Sequence, residues 1–181
     1  MPLFALAALL LLSPATQAKT TQVLELQRVN YKPEKKLVYD LDFNPATCEI
    51  NRARPFDVYY RDNATGAREP DFSGNSQSYF GPRLDNAQRG PREIELAFKG
   101  FDEIEKALNM RAEILIRLEK TDGKCAAFAE ITYGKKRFTL ERIEILVTKV
   151  LGIPNGVEWV LLKGRGDSGR VVDCVAGDCT N

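Results

Sequence analysis

Two carboxylates two residues apart on an extended strand share one face, and such a pair can hold a hard cation or divide the roles of general acid and base. Asp40 and Asp42 have this spacing, Asp57 and Asp62 flank a second apolar run, and Glu69 and Asp71 fall in a long polar stretch further on. The plainer reading of these groups is a solvated strand face, because nothing in the sequence builds an apolar pocket that would raise one pKa. No EF-hand spacing is present, and neither a metal nor a cofactor is expected. The chain has no histidine, which removes every Ser-His-Asp and Cys-His mechanism and every His-ligated metal site. No catalytic residue is assigned.

The four cysteines are the other reactive groups. Cys48, Cys125, Cys174 and Cys179 are even in number, and an oxidising compartment would pair them. Of the three possible pairings we favour Cys174 with Cys179 and Cys48 with Cys125, because Val175-Ala176-Gly177-Asp178 is a turn-rich connector. A four-cysteine zinc site is the competitor; only the Cys174–Cys179 spacing comes near the knuckle pattern it needs.

Residues 5 to 12 form an apolar run, followed by small residues ending at Ala18. The run is too short to cross a bilayer, which takes about 20 apolar residues, and it suits a secretory signal cleaved after Ala18. Residues 1–18 are therefore expected to be a signal peptide and residues 19–181 a single β-rich domain, periplasmic or secreted, with no transmembrane segment in the mature chain.

Lys and Arg number 26 against 25 Asp and Glu, a net charge of +1. Such a balance offers no overall field to nucleic acid, which is not an expected partner. Lys32, Lys35 and Lys36, and later Lys135, Lys136 and Arg137, are short basic groups at turns, read as solvated surface. Arg165-Gly166-Asp167-Ser168 contains a tripeptide that some adhesion receptors recognise, but a Gly-rich hairpin tip explains the same residues. The sequon Asn63-Ala64-Thr65 matters only in a host that glycosylates exported chains.

Positioning falls to strands. Leu37, Tyr39, Leu41 and Phe43 alternate with Asp40, Asp42 and Asn44, the period of a half-buried strand. The pattern recurs at Phe56–Tyr60, Ile94–Phe98, Ala112–Leu118, Ile143–Val147 and Val157–Leu161, with turn residues between the runs. The expected fold is mainly β, an antiparallel sandwich or barrel with at most one or two short helices. The segment 101–108 is the one expected helix, its Phe101, Ile104 and Leu108 on one face. Residues 63–91 read as a long loop over one end of the sheet. Aromatics such as Tyr39, Phe43, Phe98 and Trp159 either fill the interior or line a ligand cavity; a filled core is the preferred reading.

Several segments are similar to those of an uncharacterised family of bacterial exported proteins. They are Gln27-Arg28-Val29-Asn30, Arg54-Pro55-Phe56-Asp57-Val58-Tyr59-Tyr60, Leu140-Glu141-Arg142-Ile143, and Val157-Glu158-Trp159-Val160-Leu161-Leu162-Lys163-Gly164. The resemblance implies a β-rich exported domain and brings no known activity or site residues. The function expected is a non-catalytic module that binds a protein or a cell-envelope component. A barrel-type carrier of a small apolar ligand or lipid is the alternative, and a carboxylate-based envelope glycan hydrolase using Glu69 and Asp71 comes third.

Overall fold

Alternating apolar residues become long strands in the computed structural model, which describes residues 19–69, 74–83, 89–109, 112–133, 135–166, 169, 171–175 and 178–180. The elements in chain order are β1 (Lys19–Arg28), β2 (Lys35–Asn44), β3 (Glu49–Ile50), β4 (Phe56–Asp62), β5 (Arg68–Glu69), α1 (Gly74–Phe80), β6 (Pro82–Arg83), β7 (Glu93–Glu95) and β8 (Ala97–Phe98). There follow α2 (Lys99–Leu108), β9 (Ala112–Thr121), β10 (Lys124–Tyr133), β11 (Lys136–Val150), β12 (Ile153–Arg165), β13 (Val171–Val175) and β14 (Asp178–Thr180). Residues 1–18, the expected signal peptide, lie outside the described part of the chain.

The fold is mainly β, with two short helices among the described residues. One large sheet runs β14-β13-β12-β11-β1-β2-β4-β5 and curls into a half-barrel. A second arm, β10-β9-β7, branches from β11. In one respect the antiparallel expectation is corrected. β1 and β11 run parallel, Leu26 opposite Ile143, so the sheet is mixed. Alternation says which face a residue takes and nothing about strand direction.

The branch is the feature that organises the molecule. One edge of β11 is covered by β12 along most of its length. Its other edge is shared in succession, by β10 over Lys136–Thr139 and then by β1 over Arg142–Ile145. The handover coincides with a register shift between Leu140 and Arg142, a bulge that increases local twist and turns the two arms apart. Opposite this bulge stands Gly164, where a Cβ would lie 2.0 Å from the Thr139 carbonyl oxygen. Only a residue without a side chain lets β12 approach β11 that closely.

Between the arms lies the core. Leu24, Leu26, Leu37, Tyr39, Leu41 and Phe43 come from the β1–β2 arm, and Ile114, Ile116, Ala129 and Ile131 from the β9–β10 arm, all buried. α2 packs on β12 through its buried face of Phe101, Ile104 and Leu108, as its spacing predicts. The stretch 63–91 is more structured than a loop: β5, α1 and β6 lie in it, because Phe80 is buried against Phe98 and its carbonyl accepts the Tyr39 hydroxyl at 3.0 Å. The aromatic residues Tyr39, Phe43 and Phe98 are almost wholly buried and occupy the interior. Trp159 is only partly buried.

Candidate functional site

Cross-strand register decides what the acidic residues meet. Asp40 pairs across β2 and β4 with Asp57, two like charges that need a cation between them. Arginines on the Asp57 side offset their repulsion: Arg68 donates to both Asp57 oxygens at 2.7 and 3.0 Å, Arg54 donates to the same carboxylate at 3.2 Å, and the charges of Arg61 and Arg68 also act on Asp40. The Arg68 guanidinium also lies over the Tyr59 ring, 4.2 Å from its centre. Tyr59 in turn donates its hydroxyl to Asp40 Oδ2 at 3.2 Å. Burial holds the Asp40 carboxyl above its usual range, with the charge of Asp57 adding and the Tyr59 hydrogen bond opposing. The hydrogen bond from Arg68 draws Asp57 the other way. Two carboxylates with separated protonation are what acid–base chemistry uses, but both Asp57 oxygens are held by arginines and Asp40 already accepts the Tyr59 hydroxyl. The arrangement closes on itself as an ion-pair lattice beside an open cleft of about 580 Å³ lined by Arg54, Asp57, Arg68 and Arg83.

The remaining acidic candidates do not join it. Asp42 accepts Asn51 Nδ2 at 2.9 Å and, through its backbone, ties β2 to Pro55 and Asn51. Glu69 forms an ion pair with Lys35. Asp71 lies outside the described residues. Among the described residues no group of three or more Cys, Asp or Glu side chains converges to hold a metal ion.

Both cysteine pairs are bonded as the spacing favours: Cys48 to Cys125 and Cys174 to Cys179. Cys48 sits in the turn between β2 and β3 and Cys125 near the start of β10, so the first bond links the two arms across the end remote from the bulge.

A second cleft opens where the arms part. It has a volume of about 480 Å³ and is lined by Gln22, Val23 and Glu25 of β1, Ala127–Ala129 of β10, Thr139–Arg142 of β11 and Lys163 of β12. Both of its side walls are strand edges. Over Lys19–Leu24 β1 pairs with β2 alone, and over Lys124–Ala129 β10 pairs with β9 alone, among the described residues. The direction of the β10 groups follows from its neighbour. Leu118 directs its N–H to Arg92 O at 2.9 Å, away from β10, and Leu118 stands opposite Ala127. In an antiparallel ladder both members of such a pair point outward, so Ala127 turns its own N–H and C=O toward the cleft.

At the base of this cleft Glu25 is 6% exposed. It pairs with Lys36 at 2.8 Å, with Arg142 at 3.0 Å and with Arg61, and accepts Gln22 Nε2 at 3.0 Å. Burial by itself would raise its pKa; the hydrogen bond and charge of Lys36, the charge of Arg142 and the Gln22 hydrogen bond outweigh that and hold the carboxyl below its usual range. A carboxyl depressed in the folded state stabilises the fold above its unfolded value, near 4.5, and that contribution is lost as pH falls through the lower folded value. Glu25→Gln leaves three cations facing one another and should cost about 3 kcal/mol at neutral pH. Urea unfolding at pH 7 and pH 3 checks this: the gap between wild type and variant should shrink at the lower pH.

Sequence reasoning missed Glu25, Arg142 and Gly164 as a set. Glu25 and Arg142 look like ordinary outward residues until β1 and β11 pair. Gly164 did carry a signal, since an isolated glycine in a strand marks a bulge or a close approach.

Compared with protein-family models, with curated proteins and with solved structures, the chain matches none of them. No helix among the described residues is long and apolar enough to cross a membrane.

Proposed function

We propose that this chain is a non-catalytic binding module of the periplasm or the extracellular space, which takes an extended segment of a partner protein into the cleft between β1 and β10. The observation that carries this reading is the pair of strand edges facing one cleft, neither of them paired there among the described residues. A peptide laid along β10 would satisfy the outward N–H and C=O groups of that strand, the mode in which a partner adds a strand to an open sheet edge. Ala127 and Ala129 are small residues of the cleft wall beside Phe128. The cations at its base, Arg142 and Lys163, are paired with Glu25 and Glu144, so the backbone edges and not a free charge make the recognition. The apolar run 5–12 and the two disulfides support an oxidising destination. The filled interior favours this reading over a carrier, and the closed Asp57–Arg68 pairing favours it over a hydrolase.

The test is a displayed library of short random peptides selected on the folded protein. Selected peptides should bind Ala127→Pro at least tenfold more weakly, because proline deletes the cleft-facing donor while the β9 ladder does not use it. Amide resonances of Cys125, Ala127 and Ala129 should shift on addition of peptide to wild type. Binding unchanged in Ala127→Pro, with that variant shown to be folded by its thermal melt, would refute the proposal, as would a selection that yields no binder.

A further inference from the structure

The hairpin joining β11 and β12 ends in a conformation its sequence does not favour. Leu151 has φ 52° and Gly152 φ 80°, the left-handed pair of a tight hairpin turn, where Asn, Asp or Gly is usual at the first position. A leucine held there is strained. It is also 96% exposed, and its neighbour Val150 is 56% exposed. Folding explains neither property: an Asn at this position would suit the turn better and bury no less.

The surroundings are consistent in character. Val29, a third exposed apolar residue, lies at the same end, because β1 runs parallel to β11 and Val29 N donates to Ile145 O at 2.9 Å. Asn30 clamps the two segments, exchanging hydrogen bonds of 2.9 and 3.0 Å with the Val147 backbone. Tyr31 stands beside them with Lys149 Nζ 5.6 Å and Lys32 Nζ 5.9 Å from its ring centre. Lys149 also donates to Asn30 O at 2.6 Å. In residues 29–33 and 145–157 together the only charged side chains are Lys32 and Lys149. Thus a protruding apolar tip is bordered by one tyrosine and two cations. Acids stand further back: Glu34 two residues beyond Lys32 in the chain, and Glu103 of α2, which reaches within 4.0 Å of where a Gly156 Cβ would stand and pairs with Lys106.

We propose that this end of the molecule docks on an anionic lipid bilayer, Val150 and Leu151 entering the boundary between headgroups and acyl chains. Tyr31 lies at headgroup level, where amphipathic rings collect, and Lys32 and Lys149 meet the lipid phosphates. A convex two-residue tip suits a soft surface, whereas a protein partner would need a pocket shaped to it. This contact is independent of the cleft between β1 and β10.

The measurement is co-sedimentation of the full chain with vesicles of phosphatidylcholine, with and without phosphatidylglycerol, every variant carrying the same residues 1–18. Wild type should bind the anionic vesicles more strongly. Leu151→Asp should weaken that binding about 30-fold, the loss of one buried leucine side chain, and Lys32→Gln about fivefold. Val171→Asp, at an exposed valine on β13, should change nothing. Leu151→Asn should weaken vesicle binding and yet raise the melting temperature, an opposition that a purely structural role for Leu151 would not produce. Equal binding by wild type and Leu151→Asp overturns the proposal. So does an absence of vesicle binding, including the case where a photo-crosslinker at position 151 captures a protein instead.

Discussion

Removing the Cys48–Cys125 bond by a double substitution to alanine should lower stability by about 4.5 kcal/mol, the chain-entropy value for a loop of this length. The bond spans 77 residues, and its loss returns that loop's freedom to the unfolded chain. In the folded state the same bond ties the turn after β2 to β10 at the far end of the cleft, where Lys120 Nζ also donates to Ala46 O at 3.1 Å. The melting temperature should fall by about 10 °C. The equivalent double substitution at Cys174 and Cys179, a separation of 5, should cost about 2 kcal/mol. Thermal denaturation of the two double variants tests the ordering, and a larger loss from the small loop would contradict this account. Because the long-loop bond joins the arms, its removal should also weaken peptide binding in the cleft, whereas removal of the small one should leave binding alone.

Gly164→Ala is expected to have an effect of similar size by another route. The added methyl would stand 2.0 Å from Thr139 O and 2.7 Å from Phe138 Cδ2. The first contact is backbone and cannot swing aside, and Phe138 is buried in the core. β11 and β12 must therefore separate at the bulge, with an expected cost of about 3 kcal/mol. Gly156→Ala is the control. Its Cβ would meet chiefly the Thr148 hydroxyl, at 2.9 Å, on a half-buried side chain that can rotate at the expense of its hydrogen bond to Asn155 Oδ1. The loss should therefore stay at about 1 kcal/mol, the net value of that bond. Urea denaturation of both variants distinguishes a specific fork requirement from a general dislike of side chains on β12.

Legibility in the sequence followed the range of the interaction. The run from Leu37 to Phe43 declared a strand because alternation is local, and the face it buries is the face the sequence assigns. The helix at Lys99–Leu108 declared itself in the same way, through Phe101, Ile104 and Leu108. The acidic candidates were legible as outward residues, but their partners were not: Asp40 meets Asp57 and Tyr59, while Asp42 turns to Asn51, and neither reaches Glu69.

The sequence by itself determined the mainly β class, the alternating faces, the short helix and the favoured cysteine pairing, all carried by spacing along the chain. Tertiary structure alone decided that β11 shares one edge between β10 and β1, that β1 lies parallel to it, and that a cleft opens at the handover. Glu25 and Arg142 are 117 residues apart, as are Asn30 and Val147. The physical reason is that a strand's pattern specifies the side it buries, while its neighbour is chosen by every other strand competing for the same backbone edge.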